Sequence, residues 1–457
     1  MKRLFYLGLI GLLLFEITNV YFIMPMPGSQ RMNSIDAAYF LYRWRWVFRG
    51  VFVATLLVGL FNSTFKRKGT MALPLLVLVV IVYMANFKMA ADAMFEQPKK
   101  LLMVSADFNK VDSNRLVIGV ENNGEAKAYP IRFLSYHHQV QDTVGGKPLL
   151  ITYCSVCRTG RVYEPIVNGK PAQFRLVGMD HFNAMLEDTN TKSWWRQATG
   201  EAIIGKLKGQ KLPEFFSTQT SLTKWLELNP KSLVMQEDPT FKDEYDTTGK
   251  FESGKSTSKL TGTDSLSWKD KSWVVGVKSG KETKAYDWNK LKAERIINDK
   301  LGRKSIILVL AKDDKSFFAF ENPDPGSNFV LLNDTLMQNG ILYNINGKAI
   351  AGNTTLKPLP AYQEFWHSWK TFQPLTNDNL QSWQLFNSHS TFSAAAAKYL
   401  GHVIPARTDA FAAMAKQASD SRLFGAIHYR SDCEKGLELG VKVATAAVSR
   451  AKIDGAD

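Results

Sequence analysis

Cys154 and Cys157 stand two residues apart in Tyr153-Cys154-Ser155-Val156-Cys157-Arg158. That spacing lets both sulfurs reach one metal ion or each other. Three chemistries follow. The pair is inert or structural, a plain disulfide included; or it is a redox-active dithiol; or it binds copper or zinc completed by histidine, because soft thiolates with imidazole suit either metal. Arg158 comes next in the chain, where it would lower a thiolate pKa. A closed zinc site needs four ligands, and the chain has one further cysteine, Cys433, and no second pair. The expected metal set is therefore Cys154, Cys157 and His181, the last within Gly178-Met179-Asp180-His181-Phe182-Asn183. His137 and His138 are the other candidate partners.

Trp194, Trp195 and Arg196, ahead of Thr199-Gly200-Glu201, form a second dense cluster. The simpler reading is a core aromatic pair packed over a sheet with Arg196 stacked on it. The alternative is a pocket cover in which Glu201 serves as an acid or anion partner. The sequence has no dinucleotide glycine loop, no phosphate-cradling Gly-Lys-Ser/Thr loop and no His-Glu-x-x-His helix. Basic residues are scattered without a nucleic-acid reading motif, so no nucleic-acid partner is expected.

The elements that must hold the cysteines read as short strands and turns. Leu116 to Val120 and Ala126 to Ile131 form a hairpin about Asn123-Gly124. Pro148 to Tyr153 is a third strand and Arg161 to Pro165 a fourth, and a further strand runs from Gln173 to Val177. The cysteines fall between the third and fourth strands. The same text recurs at one constant offset of 157 residues: Val117-Ile118-Gly119-Val120 falls on Val274-Val275-Gly276-Val277, and Lys127-Ala128-Tyr129 on Lys284-Ala285-Tyr286. Asp142, Gly145, Lys147 and Glu164 fall on Asp299, Gly302, Lys304 and Glu321. Trp225 and Pro230 find a looser echo in Trp369 and Pro374. This predicts an internal duplication. Ala311 and Asp314 stand opposite the cysteines, so the sulfur pair belongs to local chemistry rather than to the general architecture.

At 457 residues the chain is too long for one core. A composition 45% hydrophobic and 22% charged excludes a wholly disordered chain. Lys plus Arg outnumber Asp plus Glu by 57 to 42, a net +15 that suits anionic membranes or solutes. Three cysteines exclude a disulfide scaffold. Apolar runs cover Leu4 to Met24, Val47 to Phe61 and Met71 to Phe87. The first is long enough to cross a bilayer, and the second can borrow length from Ala37 to Trp46. Trp44 and Trp46 would be interfacial belt residues beside Arg43, Arg45 and Arg49. Lys2 and Arg3 agree with Lys66, Arg67 and Lys68 on a cytoplasmic N-terminus, although the arginines after span one argue the other way. The expected location is multi-pass in the cell inner membrane, with the body in the periplasm or another extracytoplasmic space.

The predicted fold class is N-terminal transmembrane helices, a mainly β (β-rich α+β) duplicated soluble body and a short all-α C-terminal tail. The predicted division is 1–90 for the membrane region with about three helices, 101–230 for the first β-rich copy, 231–271 for an exposed polar linker or insertion, 272–378 for the second copy, and 379–457 for the tail. The linker's other reading is a lid over the first-copy site. In the tail, helices are predicted over Thr391 to Leu400, Ala406 to Ala418 and Glu434 to Ala451. The third would carry Leu437, Leu439, Val441, Val443 and Ala446 on one side.

Several phrases in the body carry a family resemblance: Ala128-Tyr129-Pro130, Asp142-Thr143-Val144-Gly145-Gly146, Thr152-Tyr153-Cys154 with Cys157, Ser193-Trp194 through Thr199-Gly200-Glu201-Ala202, and Phe365-Trp366-His367-Ser368-Trp369. Through them the stretch from Leu101 to Thr376 resembles a large bacterial family catalogued only as a domain of unknown function. The resemblance implies domain extent and no activity. In the tail, Ser388-His389-Ser390 and Ser421-Arg422 with His428, Tyr429 and Asp432 resemble two signatures of the superfamily joining type 2 phosphatidic acid phosphatases to vanadium haloperoxidases. That resemblance implies His389 as the acid on the leaving group, Arg422 as the oxyanion holder, His428 as nucleophile or vanadium ligand, and Asp432 as its orienter. Vanadate would be a cofactor only in a functional tail. The superfamily's first signature is absent here, and Phe386-Asn387-Ser388 stands where the superfamily has Pro-Ser-Gly before its helix histidine.

The sequence thus points to a membrane-anchored extracytoplasmic module, metal-binding or thiol-redox through Cys154 and Cys157. Its expected partners are the lipid bilayer and a metal ion or a thiol partner protein. A non-catalytic binding or structural module and a phosphatase- or haloperoxidase-like hydrolase are the alternatives.

Overall fold

The computed structural model describes residues 1–63, 69–374, 376–378, 388–424 and 430–455. The chain packs as two units, Met1–Thr376 and Asn377–Asp457.

The first unit begins with four helices: α1 (Lys2–Tyr21), α2 (Ile35–Arg43), α3 (Arg45–Phe61) and α4 (Gly69–Tyr83), the last running on through a π-helical turn, Met84–Lys88. Lys2–Tyr21 and Met71–Lys88 are each long and apolar enough to cross a membrane. The pair α2 and α3, bent by 61°, makes a third if counted as one span. Glycines set how closely α1 approaches α3: a Cβ on Gly59 would lie 2.1 Å from Phe5 N, and one on Gly8 2.4 Å from Leu56 N. One buried ion pair ties three helices together. Arg49 of α3 donates to Glu16 of α1 at 2.7 and 2.9 Å, and Asn86 bridges both at 2.6 and 3.0 Å. Arg49 turns inward, because Glu16 in an apolar helix needs a counter-charge. The cluster Lys66 to Lys68 lies outside the described residues.

The body has small, mostly antiparallel sheets. A hairpin, Leu116–Asn122 with Glu125–Pro130, sits in a five-stranded sheet. A seven-residue helix, Ile131–His137, follows, and then a three-stranded meander: Gln139–Val144, Lys147–Cys154 and Thr159–Tyr163. Phe174–Asp180 and Asn183–Asp188 open a four-stranded sheet beside it. Further along, the order hairpin, seven-residue helix, meander recurs as Trp273–Ser279, Glu282–Asp287, Trp288–Glu294, Ile296–Leu301, Lys304–Leu310 and Phe317–Glu321.

Details recur with the order. Both short helices end on a left-handed residue, His138 at φ 60° and Arg295 at φ 65°. Lys127 pairs with Asp142 at 3.1 Å and Lys284 with Asp299 at 2.6 Å. Trp225 lies on Gly119, whose Cβ would come within 2.2 Å of the indole, and Trp369 lies on Gly276 at 2.0 Å. Trp225 Nε1 donates to Ser232 Oγ at 2.7 Å, and Trp369 Nε1 to Thr376 Oγ1 at 2.9 Å.

The segment 231–271 corrects the expectation of an exposed linker. Leu233–Met235 is a strand of the first sheet, Lys242–Glu252 is a helix, and Phe241, Tyr245 and Phe251 are buried. The polar composition hid three aromatics at spacings of four and six residues, which face the core beside Phe133 and Tyr153.

In the second unit, helices run over Ser388–Val403, Thr408–Phe424 and Arg430–Asp454. The last helix does not present the expected apolar side: Val441, Val443 and Ala446 are exposed. Residues two apart lie about 200° around a helix from one another, so that set could not share a face. Among the described residues the buried positions are Cys433, Gly436, Gly440 and Ala444, spaced three and four apart. The bare Gly440 meets the Thr391 carbonyl of the first helix, where a Cβ would lie 2.2 Å away.

Candidate functional site

The strand Lys147–Cys154 ends at the first cysteine, and Thr159, its rung partner, begins the next strand. The cysteines therefore share one hairpin turn. Arg158 closes it with φ 54°, its N–H donating to Ser155 O at 3.4 Å. A second turn caps the sulfurs. His181 and Phe182 join Phe174–Asp180 to Asn183–Asp188, both left-handed at φ 49° and 66°. Glycine or asparagine is the usual occupant of such a two-residue turn, and a phenylalanine there is strained. The turn brings Phe182 O to 3.6 Å from Cys154 Sγ and 3.4 Å from Cys157 Sγ. It also aims the Ala184 N–H at Cys154 Sγ, 3.4 Å away.

Both thiols are fully buried. Burial pushes the Cys154 thiol up, but the hydrogen bond from the Cys157 thiol and the backbone amides of Ala184, Cys157 and Val156 outweigh it. Its pKa therefore lies below the ordinary thiol value. Cys157 moves the other way, well above, through burial and its role as donor beside Cys154. The environments separate the two: Cys154 is the more acidic thiol and Cys157 the less acidic.

The third wall comes from late in the unit. The strand Ala361–Phe365 pairs with Trp273–Ser279, and Phe365 N donates to Cys157 O at 2.9 Å. In the helix that follows, Trp366–Phe372, Ser368 donates to Glu364 Oε2 at 2.9 Å. Glu364 in turn pairs with the buried Arg161. Lys271 Nζ donates to Val156 O at 2.8 Å and Leu260 O at 2.6 Å, and lies 3.3 Å from His367 Nε2. Burial lowers the Lys271 pKa against the opposing pull of the two sulfurs. Burial, then the Lys271 charge, drives His367 down to about 4, so its ring is neutral at neutral pH. The half-buried Phe182 and His367 rings meet edge to face at 6.3 Å.

Several expectations are redirected. Arg158 does not serve the thiols: its guanidinium donates to Gln363 Oε1, Phe251 O and Glu252 O and lies 3.6 Å from the Trp273 ring centroid. The cation that the sulfurs feel is Lys271. His181 lies in the turn that caps the cysteines, yet its ring nitrogens face Asp180 Oδ1 at 2.9 Å and Asn33 Oδ1 at 3.2 Å. His137 meets Tyr245 Oη at 2.6 Å, and His138 meets Tyr153 O at 2.9 Å. Among the described residues, no group of three or more His, Cys, Asp and Glu side chains is placed to hold a metal ion. The two thiolates would be the anchor for copper or zinc, with further ligands still to be supplied.

Trp194 and Trp195 are buried, their N–H groups donating to Glu187 at 3.0 Å and Asp188 at 2.9 Å. Arg196 binds Asp180 at 2.9 and 2.6 Å and lies 5.0 Å from the Phe372 ring centroid rather than on a tryptophan. Glu201 stands at the surface edge, 4.0 Å from Lys211.

In the second unit, His389 is exposed in the first turn of its helix. Arg422 lies in the last turn of Thr408–Phe424 and Asp432 in the first turn of Arg430–Asp454. His428 lies outside the described residues.

Phe182, Lys271 and Ser368 were not singled out from sequence. His367 and Ser368 belong to Phe365-Trp366-His367-Ser368-Trp369, and nothing in the local pattern ties any of these residues to Cys154.

Fold and site together define a β-rich body with a buried vicinal dithiol at a hairpin turn, roofed by a later strand and helix. The protein of unknown function family DUF3179 matches residues 97–376, and the chain belongs to that family. The match takes in both cysteines and the Phe365–Trp369 phrase, and leaves out α1 to α4 and the helical unit. No curated protein and no solved structure matches the chain.

Proposed function

We propose that this protein is a membrane-anchored thiol–disulfide redox module, with Cys154 as the attacking thiolate and Cys157 as the resolving thiol. One observation carries the reading: two free, buried cysteines share one hairpin turn, and the Ala184 N–H is aimed at Cys154 Sγ, 3.4 Å away, in surroundings that lower the Cys154 pKa and raise that of Cys157. The oxidant is a disulfide on a partner protein. Cys154 thiolate attacks one of its sulfurs, forming a mixed disulfide and releasing the other sulfur as thiolate. Cys157 then attacks Cys154 Sγ, its proton passing to the sulfur that leaves. Two electrons move to the partner, which ends as a dithiol, and Cys154–Cys157 ends as a disulfide. Opening the Phe182–His367 contact admits the partner to the buried pair. The tail residues His389, Arg422, His428 and Asp432 take no part.

The reading includes two further elements. The body descends from a duplication, a view supported by the recurring element order, the paired His138 and Arg295 caps and the two Trp–Gly contacts. It stands in the periplasm, a view supported by Lys2 and Arg3 at the start of α1 and by the preference of disulfide chemistry for oxidising compartments.

The test is metal content together with thiol state. Anaerobically purified protein should carry two alkylatable thiols at Cys154 and Cys157 and less than about a tenth of an equivalent of copper or zinc. One equivalent of either metal, lost in Cys154→Ser/Cys157→Ser, replaces this reading with the metal-binding one.

A further inference from the structure

Where α2 meets the body, a cavity of about 570 Å³ opens. Tyr39 and Tyr42 of α2 dock there on Trp194, with ring centroids 5.0 and 5.2 Å apart, and Tyr39 Oη donates to Lys192 O at 3.0 Å. The cavity wall carries four cations, Arg43, Arg45, Arg175 and Lys192, against two carboxylates, Asp92 and Glu187. Arg175 engages both carboxylates, at 2.9 Å to Asp92 and 2.8 Å to Glu187. Arg43, Arg45 and Lys192 are left with no carboxylate partner among the described residues. Arg45 donates to Tyr42 O at 2.7 Å and lies 4.0 Å from its ring centroid, which fixes its direction without neutralising it.

The position of the cavity says what neutralises these charges. It lies at the bend between α2 and α3, beside the exposed Trp44 and Trp46, the residue type that marks a membrane–water boundary. Further along α3, Arg49 already turns inward to Glu16. Body residues line the other wall, which on the membrane-anchored reading puts the cavity at the membrane surface on the body's side. Below it, Val47 and Val51 of α3 are exposed. Basic pockets at this height recognise phosphate headgroups, and arginines suit a phosphate because their paired N–H groups match its oxygens.

We propose that this cavity binds the phosphate headgroup of an anionic phospholipid, with the acyl chains lying along the Val47 and Val51 face of α3. Such a role also accounts for arginines after the first span, where charge bias alone argues against the body's extracytoplasmic placement. The proposal rests on the membrane-anchored part of the reading above and does not need the dithiol to be redox-active.

The full chain, reconstituted in discs of equal phosphatidylglycerol and phosphatidylcholine and released for native mass spectrometry, should retain phosphatidylglycerol at least about ten-fold over phosphatidylcholine. Arg43→Gln/Arg45→Gln/Lys192→Gln should abolish the preference. Because Arg45 also braces Tyr42, the single Lys192→Gln is the control for folding, and it should reduce the preference about three-fold. Equal retention of both lipids, or a preference unchanged in the triple variant, overturns the proposal. So does saturable binding of glycerol 1-phosphate without any lipid preference, which would make this a site for a soluble phosphate ester.

Discussion

The N–H of Ala184 ends on Cys154 Sγ at 3.4 Å, so a backbone donor of one sheet stabilises a sulfur at the turn of another. That donor is fixed by the strained His181-Phe182 turn and cannot rotate away. The backbone therefore helps lower the Cys154 pKa, and the variants that matter most are those that disturb its few side-chain contributors.

The Cys157 thiol is the largest favourable contributor to the Cys154 thiolate. Cys157→Ala should raise the Cys154 pKa, because a hydrogen bond to the charged form favours it. The pH dependence of iodoacetamide labelling at Cys154 reads this directly. An unchanged profile would mean that the two sulfurs do not share a proton.

Arg158 and Lys271 should separate cleanly. Arg158→Met removes a buried guanidinium from three acceptors and from the Trp273 face, and should cost about 3 kcal/mol or more. It should leave the Cys154 labelling profile in place in the protein that remains folded. Lys271→Met should shift that profile upward. The opposite pattern would return the thiols to Arg158.

Two neutral histidines make the body acid-sensitive. Burial holds His138 at about 4, and burial with the Lys271 charge does the same for His367, against an unfolded value near 6.5. Between those pH values the unfolded chain binds more protons, so stability is full above pH 6.5 and falls as pH drops towards 4. Each histidine would contribute up to about 3 kcal/mol to that loss at the ordinary conversion of one pKa unit. Urea midpoints between pH 7 and 4 measure the slope, and His138→Gln should flatten it. A midpoint indifferent to pH in that window contradicts the assignment.

The two tryptophans should behave alike. Trp225→Ala and Trp369→Ala each empty a space shaped by a bare glycine and should cost about 3–5 kcal/mol. Gly119→Ala and Gly276→Ala put a methyl into the indole and should each cost about 2 kcal/mol or more. Thermal denaturation of the four variants tests whether the two positions are equivalent. A marked loss at one glycine and none at the other would weaken the reading of a duplication.

What was legible in the sequence was local. Cys154 and Cys157 fall at the end of an alternating strand, so their shared turn followed from strand period and spacing. The Gly119 and Gly276 strands were legible because the same words recur at a fixed offset. Lys271 and His367 were not, because they reach Val156 from 115 and 211 residues along the chain and no local pattern records a contact of that range. Arg158 misled for the opposite reason. Adjacency in sequence suggested adjacency to the sulfur, but its left-handed backbone turns the side chain towards Trp273. Val441 and Val443 misled because hydrophobicity was read without its helical period.

The central claim is that Cys154 and Cys157 exchange two electrons with thiol partners. The most direct measurement is a redox titration of the full chain in glutathione buffers, with differential alkylation read by mass spectrometry. The account predicts a single two-electron transition between a dithiol and a Cys154–Cys157 disulfide, absent from Cys154→Ser. A pair that stays reduced across the whole range, or that oxidises only after unfolding, would contradict it.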